Sequence, residues 1–208
     1  MLDKKLKSNV IEAYVKLFEE DYTKTSDIEK IYDETVEYVQ RMNLEDITEQ
    51  DVAKIGQCLL EWGNMWRVLG RREHRGWEKK LKDLIKEYSS MLVIFRKESS
   101  AKVEQFEGEI KEIYGKFRET LGPTAAGKTL NILCPDFFPL WDTAIKKAFN
   151  VKDDDYYAFM LKVRGFIKKY DETFTKLAKK YNKKTLRIFD EFAWQISNSP
   201  ISLFSNDL

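Results

Sequence analysis

Apolar residues recur at helical spacing along almost the whole chain, and one stretch breaks the pattern. From Leu121 to Thr143 the sequence reads LGPTAAGKTLNILCPDFFPLWDT, which holds three of the four prolines and two of the nine glycines. On either side the periodicity resumes. Leu2, Leu6, Val10, Tyr14, Phe18 and Tyr22 predict a first amphipathic helix. Ser26-Asp27-Ile28-Glu29 is a capping box that opens a second. Thr48 with Asp51 starts a third, carrying Val52, Ile55, Leu59, Trp62 and Trp66 as core and ending at Gly70. A fourth runs from Trp77 to Phe95; residues 90–95 could form a short strand, but the spacing on both sides favours helix. Ser99 or Ser100 opens a fifth that runs into Gly122-Pro123. Beyond the break, Asp142 or Thr143 caps a short helix, and Asp153–Asp155 sits where negative charge suits a helix N-terminus. A last helix holds Leu186, Phe189, Phe192 and Ile196. With no clear strand, internal repeat or low-complexity linker, the chain reads as all-α. We expect a compact bundle of about eight or nine helices in one domain over residues 1–198. A shallow division near 98–120 is compatible with the pattern, and 199–208 reads as a loose tail.

Charge decides which partners are open to such a bundle. The chain has 36 basic and 35 acidic residues, a formal net charge of +1, so no general polyanion-attracting field exists and any basic surface must be local. The densest cationic patch is Arg67, Arg71, Arg72 and Arg75 with His74 between them; it suits a solvated turn or a phosphate surface equally. His74 reads as exposed and not catalytic. Lys176, Lys179, Lys180, Lys183 and Lys184 form a second basic stretch, which a solvated helix face explains as well. Cys58 and Cys134 lie in apolar settings and read as buried free thiols of a reducing, cytoplasmic compartment. One histidine and no Cys-x-x-Cys leave no metal site to expect, and no cofactor motif stands out. The longest apolar run, Met91 to Phe95, is too short to span a bilayer, and the N-terminus lacks a signal-peptide apolar region. Heavy use of Lys and Glu hints at a thermophilic source.

The central break admits two incompatible readings. Gly122 to Thr129 fits the phosphate-loop string G-x-x-x-x-G-K-[ST]. That loop needs a buried strand leading into it and a second strand ending in an acidic residue, whereas Ile113 to Leu121 has helical spacing. A nucleotide-hydrolysing enzyme is therefore the weaker reading. The other is a tight corner between two helices, with Lys128 at the base of the second and Asp142 opening a third.

This second reading carries a resemblance. Lys128-Thr129, the apolar helix Leu130–Leu133 and the string Leu140-Trp141-Asp142-Thr143 resemble the helix-hairpin-helix superfamily of DNA glycosylases, which has the 8-oxoguanine glycosylase-like fold. The string Pro-Asp-Phe-Phe-Pro-Leu-Trp-Asp is similar to one in an uncharacterised prokaryotic family thought to share that fold. The match covers about residues 110–150. The resemblance implies DNA as partner and a base flipped into a cleft. It implies Lys128 as the nucleophile that forms a Schiff base, with Asp142 as its electrostatic partner. Phe137, Phe138 and Trp141 would wall the base pocket. Gly122, Thr124, Ala126 and Gly127 would meet a phosphate at the hairpin, and Arg67, Arg71, Arg72 and Arg75 would hold others. The pattern also departs here: aligned on Lys128, the family's hairpin glycines fall on Thr124 and Ala126, and Lys128 to Asp142 is a few residues shorter than usual. Each residue has a plainer reading as well, with Asp142 as an N-cap, Lys128 as a solvated lysine and the three aromatic residues as core. A non-enzymatic helical domain that binds a protein or small ligand is the alternative function.

Overall fold

The computed structural model describes residues 6–22, 27–151 and 155–198, and among these every regular element is helical. In chain order the α-helices are α1 (Ser8–Leu17), α2 (Asp27–Arg41), α3 (Glu49–Glu61), α4 (Trp66–Leu69), α5 (Trp77–Glu87) and α6 (Ser89–Lys97). They continue with α7 (Glu107–Leu121), α8 (Pro123–Leu133), α9 (Thr143–Ala148), α10 (Tyr156–Lys169), α11 (Asp171–Tyr181) and α12 (Thr185–Asn198). A π-helical turn, Phe18–Tyr22, prolongs α1, and 3-10 turns at Arg72–His74 and Ser100–Phe106 precede α5 and α7. Among the described residues no helix is long and apolar enough to cross a membrane.

The all-α expectation holds. The helices outnumber those expected because two long apolar stripes are interrupted. The third stops at Glu61: a Cβ on Gly63 would lie 2.4 Å from the Leu59 carbonyl oxygen, and Asn64 takes a left-handed φ of 52°. The fourth breaks at Tyr88, and residues 90–95 are helical within α6. The Thr48 capping box forms on both sides, Asp51 N–H donating to Thr48 Oγ1 at 3.3 Å and Thr48 N–H to Asp51 Oδ2 at 2.7 Å. Ser26, Asp153, Asp154 and the tail 199–208 lie outside the described residues.

The chain falls into two compact units, Asp27–Leu140 and Met1–Ser26 with Trp141–Leu208. The stretch 98–120 lies inside the first, which is an insert between the two parts of the second.

The inserted unit holds α2 to α8 around a phenylalanine cluster. Phe95 stacks on Phe137 with centroids 4.5 Å apart, and Phe138 and Phe106 meet Phe95 edge-on. Asn131 is wholly buried and bonded through both its nitrogen and its oxygen: its amide donates to the Phe138 carbonyl at 2.7 Å and its Oδ1 accepts from the Tyr32 hydroxyl at 2.8 Å. Arg96 donates to Leu133, Met42 and Val39 carbonyls at 3.1, 3.0 and 2.8 Å, so one cation closes the C-terminal ends of α8 and α2. Cys58 and Cys134 are buried free thiols; burial pushes Cys58 up to about 12 and raises Cys134 as well.

The terminal unit holds α1 and α9 to α12. Phe166 stacks on Phe192 at 5.5 Å, with Phe174 and Phe189 against them, and Trp141 meets Tyr156 edge-on. Beside this core lies an ion cluster. Lys183 Nζ is 2.5 Å from Glu19 Oε1 and 2.7 Å from Glu191 Oε1, and Arg187 Nε is 3.2 Å from the same Glu191 oxygen. Burial pushes the Glu191 carboxyl up to about 7 against the attraction of Arg187 and Lys183. Burial also works against the Lys183 charge, but Glu191 and Glu19 outweigh it and hold the amine above its usual range.

Candidate functional site

The arginine-rich stretch of the sequence is a folded connection between α3 and α5, and both of its ends are fastened to helix C-termini. At its start, Lys128 Nζ donates to the Gly63 carbonyl at 2.8 Å and lies 5.4 Å from the centroid of the Trp62 ring. A cation there meets the negative end of α3 and ties α8 to it. Further along, His74 Nδ1 is 2.9 Å from the Thr120 carbonyl oxygen in the last turn of α7. A carbonyl can only accept, so Nδ1 carries the proton. The expectation of an exposed His74 is therefore corrected: the ring is buried because it closes a helix end.

Backbone constraints hold the shape between these anchors. The Gly63 N–H reaches the Cys58 carbonyl, and the Met65 N–H reaches that of Leu59. A Cβ on Gly70 would sit 2.8 Å from the Trp66 carbonyl oxygen, so a side chain there would displace α4. Gly76 has φ +71° and opens α5, where the buried Trp77 ring fits a notch over Gly56; a Cβ on Gly56 would lie 2.8 Å from that ring. These contacts set the course of the connection from α3 to α5.

What it presents is an open hollow of about 680 Å³, lined among others by Leu60, Trp66, Leu69, Arg71, Arg72 and Arg75. Trp66 is 55% exposed and Leu60 37%. Trp66 was expected in the core, because it continues the apolar stripe of α3; the break at Gly63-Asn64 rotates it out of that stripe. The Arg67 guanidinium lies over the Trp66 ring, 4.8 Å from its centroid. Arg71 approaches Glu73 at 3.7 Å across the surface, and Glu78 also lines the hollow. Among the described residues Arg67, Arg72 and Arg75 make no ion pair, and all four arginines are exposed. A large exposed ring beside Arg72 and Arg75, which make no ion pair among the described residues, can hold a planar group and its attached anion.

The residues of the central break are arranged otherwise. Gly122, at φ +78°, is the whole connection between α7 and α8. The string Gly122 to Thr129 is therefore a helix start preceded by a helix, and the phosphate-loop reading has no loop and no strand to rest on. Lys128 stands midway along α8 rather than at its base, where it donates to the Gly63 carbonyl and lies over the Trp62 ring. Gly122, Ala126 and Gly127 are buried and Thr124 is half-buried; the Ala126 N–H is already bonded to the Gly122 carbonyl. Asp142 caps α9, its Oδ1 accepting the Ile145 N–H at 2.8 Å. Phe137 and Phe138 are fully buried in the inserted unit, Trp141 in the terminal unit. The base-pocket expectation for these three is corrected, since each ring is enclosed by its own core. Lys128 and Asp142 likewise belong to different units. Among the described residues no group of His, Cys, Asp and Glu is arranged to hold a metal ion.

The sequence therefore points to the four arginines but misses Trp66 and Leu60. The available signal was Gly63-Asn64, a pair suited to ending a helix one turn before Trp66. No family model, no curated protein and no solved structure matches this chain.

Proposed function

We propose that this protein binds nucleic acid, DNA in the reading that the sequence resemblance favours, through Arg67, Arg71, Arg72 and Arg75. The observation that carries the proposal is the hollow in which Arg71, Arg72 and Arg75 surround an exposed Trp66. Phosphates supply the counter-charge that Arg67, Arg72 and Arg75 lack among the described residues and compete with Glu73 for Arg71, and guanidinium geometry suits phosphate oxygens. With a net charge of only +1, binding depends on this local patch and is modest in strength. Fluorescence anisotropy with labelled oligonucleotides across a salt series tests it. Three phosphate contacts give a slope of log affinity against log salt of about −2 to −3. Binding that is absent at low salt, or indifferent to salt, refutes the proposal.

Base excision is the narrower form of the same proposal. It rests on the residue string around Lys128 and Asp142, with Lys128 attacking the sugar and Asp142 stabilising the developing cation. Borohydride trapping on oligonucleotides with damaged bases or abasic sites tests it. A trapped adduct lost in Lys128→Ala supports it; no adduct and no released base on any substrate removes it. The near-neutral charge favours a second reading, a non-enzymatic domain that binds a protein or small ligand, and salt-indifferent binding of such a partner would support that one.

A further inference from the structure

We infer that the hollow takes an unpaired nucleotide, its base against Trp66 and its phosphates on Arg71, Arg72 and Arg75; the inference deepens the nucleic-acid reading and rests on it. Three observations lead to it. The first is that Trp66 is held out in the open. Burying an indole is favourable, yet α4 keeps this one 55% exposed, and the tight backbone at Gly63 and Gly70 fixes α4 in that position. The second is that the ring already carries one planar cation, the Arg67 guanidinium 4.8 Å from its centroid. A base added to this stack continues an alternation of cation and ring that strengthens each contact. The third is the shape and lining of the site. A hollow of about 680 Å³ with Leu60 and Leu69 on its wall is concave and partly apolar, which suits a ring and sugar. A duplex stacks the faces of its bases against one another and offers an exposed indole only edges and backbone. Stacking on Trp66 therefore requires a base free of its own stack. Glu78, the acid in the lining, is an acceptor available to a base N–H such as the imide of thymine or uracil, and it opposes a phosphate at its own position. The phosphates are therefore assigned to Arg71, Arg72 and Arg75 rather than to the Glu78 position.

The test compares four probes against the full chain at about 50 mM salt. They are labelled oligothymidylate of about 15 nucleotides, the duplex of the same length, the matching oligouridylate, and vesicles of phosphatidylcholine with phosphatidylserine. Variants are Trp66→Ala and Trp66→Phe, with far-ultraviolet circular dichroism to show that the fold is kept. The expected result is tighter binding of the single strands than of the duplex. Trp66→Ala weakens single-strand binding about 5- to 100-fold, and Trp66→Phe stays within about 3-fold of the wild type. Duplex binding is unchanged by either substitution. The two single strands separate DNA from RNA as the source of the nucleotide, and dependence on Trp66 with either supports the inference. Single-strand binding that ignores Trp66→Ala, or a preference for duplex, overturns the inference and leaves the nucleic-acid reading standing. Binding to none of the three oligonucleotides, with or without vesicle binding, overturns both.

Discussion

Two stretches of this chain look alike in sequence, the arginines at 67–75 and the lysines at 176–184. In the folded protein they differ in kind. In the lysine stretch Lys183 is drawn into the terminal unit by Glu19 and Glu191, and the exposed Lys176 bonds Glu12 at 2.9 Å across the surface. A hollow of similar volume, about 680 Å³, lies along α11, but Asp171 and Glu172 line it beside Lys176, Lys179 and Lys180, and no aromatic ring does. The arginine stretch stays outside. Its fixed points are backbone carbonyls reached by Lys128 and His74, and the only acids that the exposed guanidiniums meet among the described residues are Glu73 on Arg71 and Glu78 in the lining, beside the open Trp66 ring. The comparison teaches that a run of like charges is a binding surface only after its internal counter-charges have been found.

The comparison can be broken at several points, with effects that descend in size. Lys183→Met leaves Glu191 and Glu19 without their shared amine, and we expect it to lower stability by about 3 kcal/mol at neutral pH. Denaturant unfolding measures this, and the loss should shrink toward pH 5 as Glu191 takes up a proton. A negligible loss would make the lysine stretch as free as the arginine one.

Next is the pH dependence that Glu191 imposes. Its folded pKa of about 7 lies above its ordinary 4.5, so between those values the native state holds the proton that the unfolded state has released. Stability from this group is therefore full at the acid end, falls as pH rises through the window and is level above it. The fall should be about 1–3 kcal/mol. Glu191→Gln should flatten that slope in unfolding curves recorded from pH 4.5 to pH 7; an unchanged slope would assign it to other groups.

Lys128→Met removes the cation at the end of α3, and we expect about 1–2 kcal/mol of destabilisation. Amide exchange should quicken in residues 62–70 more than in α1 or α12. A protein of unchanged stability and exchange would contradict the anchoring role. Smallest of all, Arg71→Ala, Arg72→Ala and Arg75→Ala together should change stability by no more than about 0.5 kcal/mol, as expected of exposed side chains on a solvated surface. A larger loss would mean that these arginines hold the fold and are not a free surface.

How far the sequence could be read follows from the range of each interaction. Local rules carried through: Thr48 with Asp51, Asp142 with Ile145 and Asp155 with Ala158 all cap as their spacing implies. The arginine cluster was visible because it is contiguous. The burial of His74 was not, since its acceptor Thr120 is 46 residues away, and the Lys128 acceptor Gly63 is 65 residues away. Trp66 reads as core because its apolar stripe runs across Gly63, and nothing in the stripe's own apolar residues marks that the backbone turns there. The return of the C-terminal helices to α1, which builds the terminal unit around an insert, leaves no local trace at all. The aromatic string from Phe137 to Trp141 reads as one motif, yet its residues fill two separate cores.

The most direct measurement is the salt dependence of oligonucleotide binding by two triple variants. One carries Arg71→Ala, Arg72→Ala and Arg75→Ala; the other carries Lys176→Ala, Lys179→Ala and Lys180→Ala. The account predicts that the arginine variant loses most of its affinity and its slope becomes shallower by about 2 to 3, roughly one unit for each phosphate no longer neutralised. The lysine variant should bind as the wild type does. Equal losses in the two, or a loss confined to the lysine variant, would contradict it.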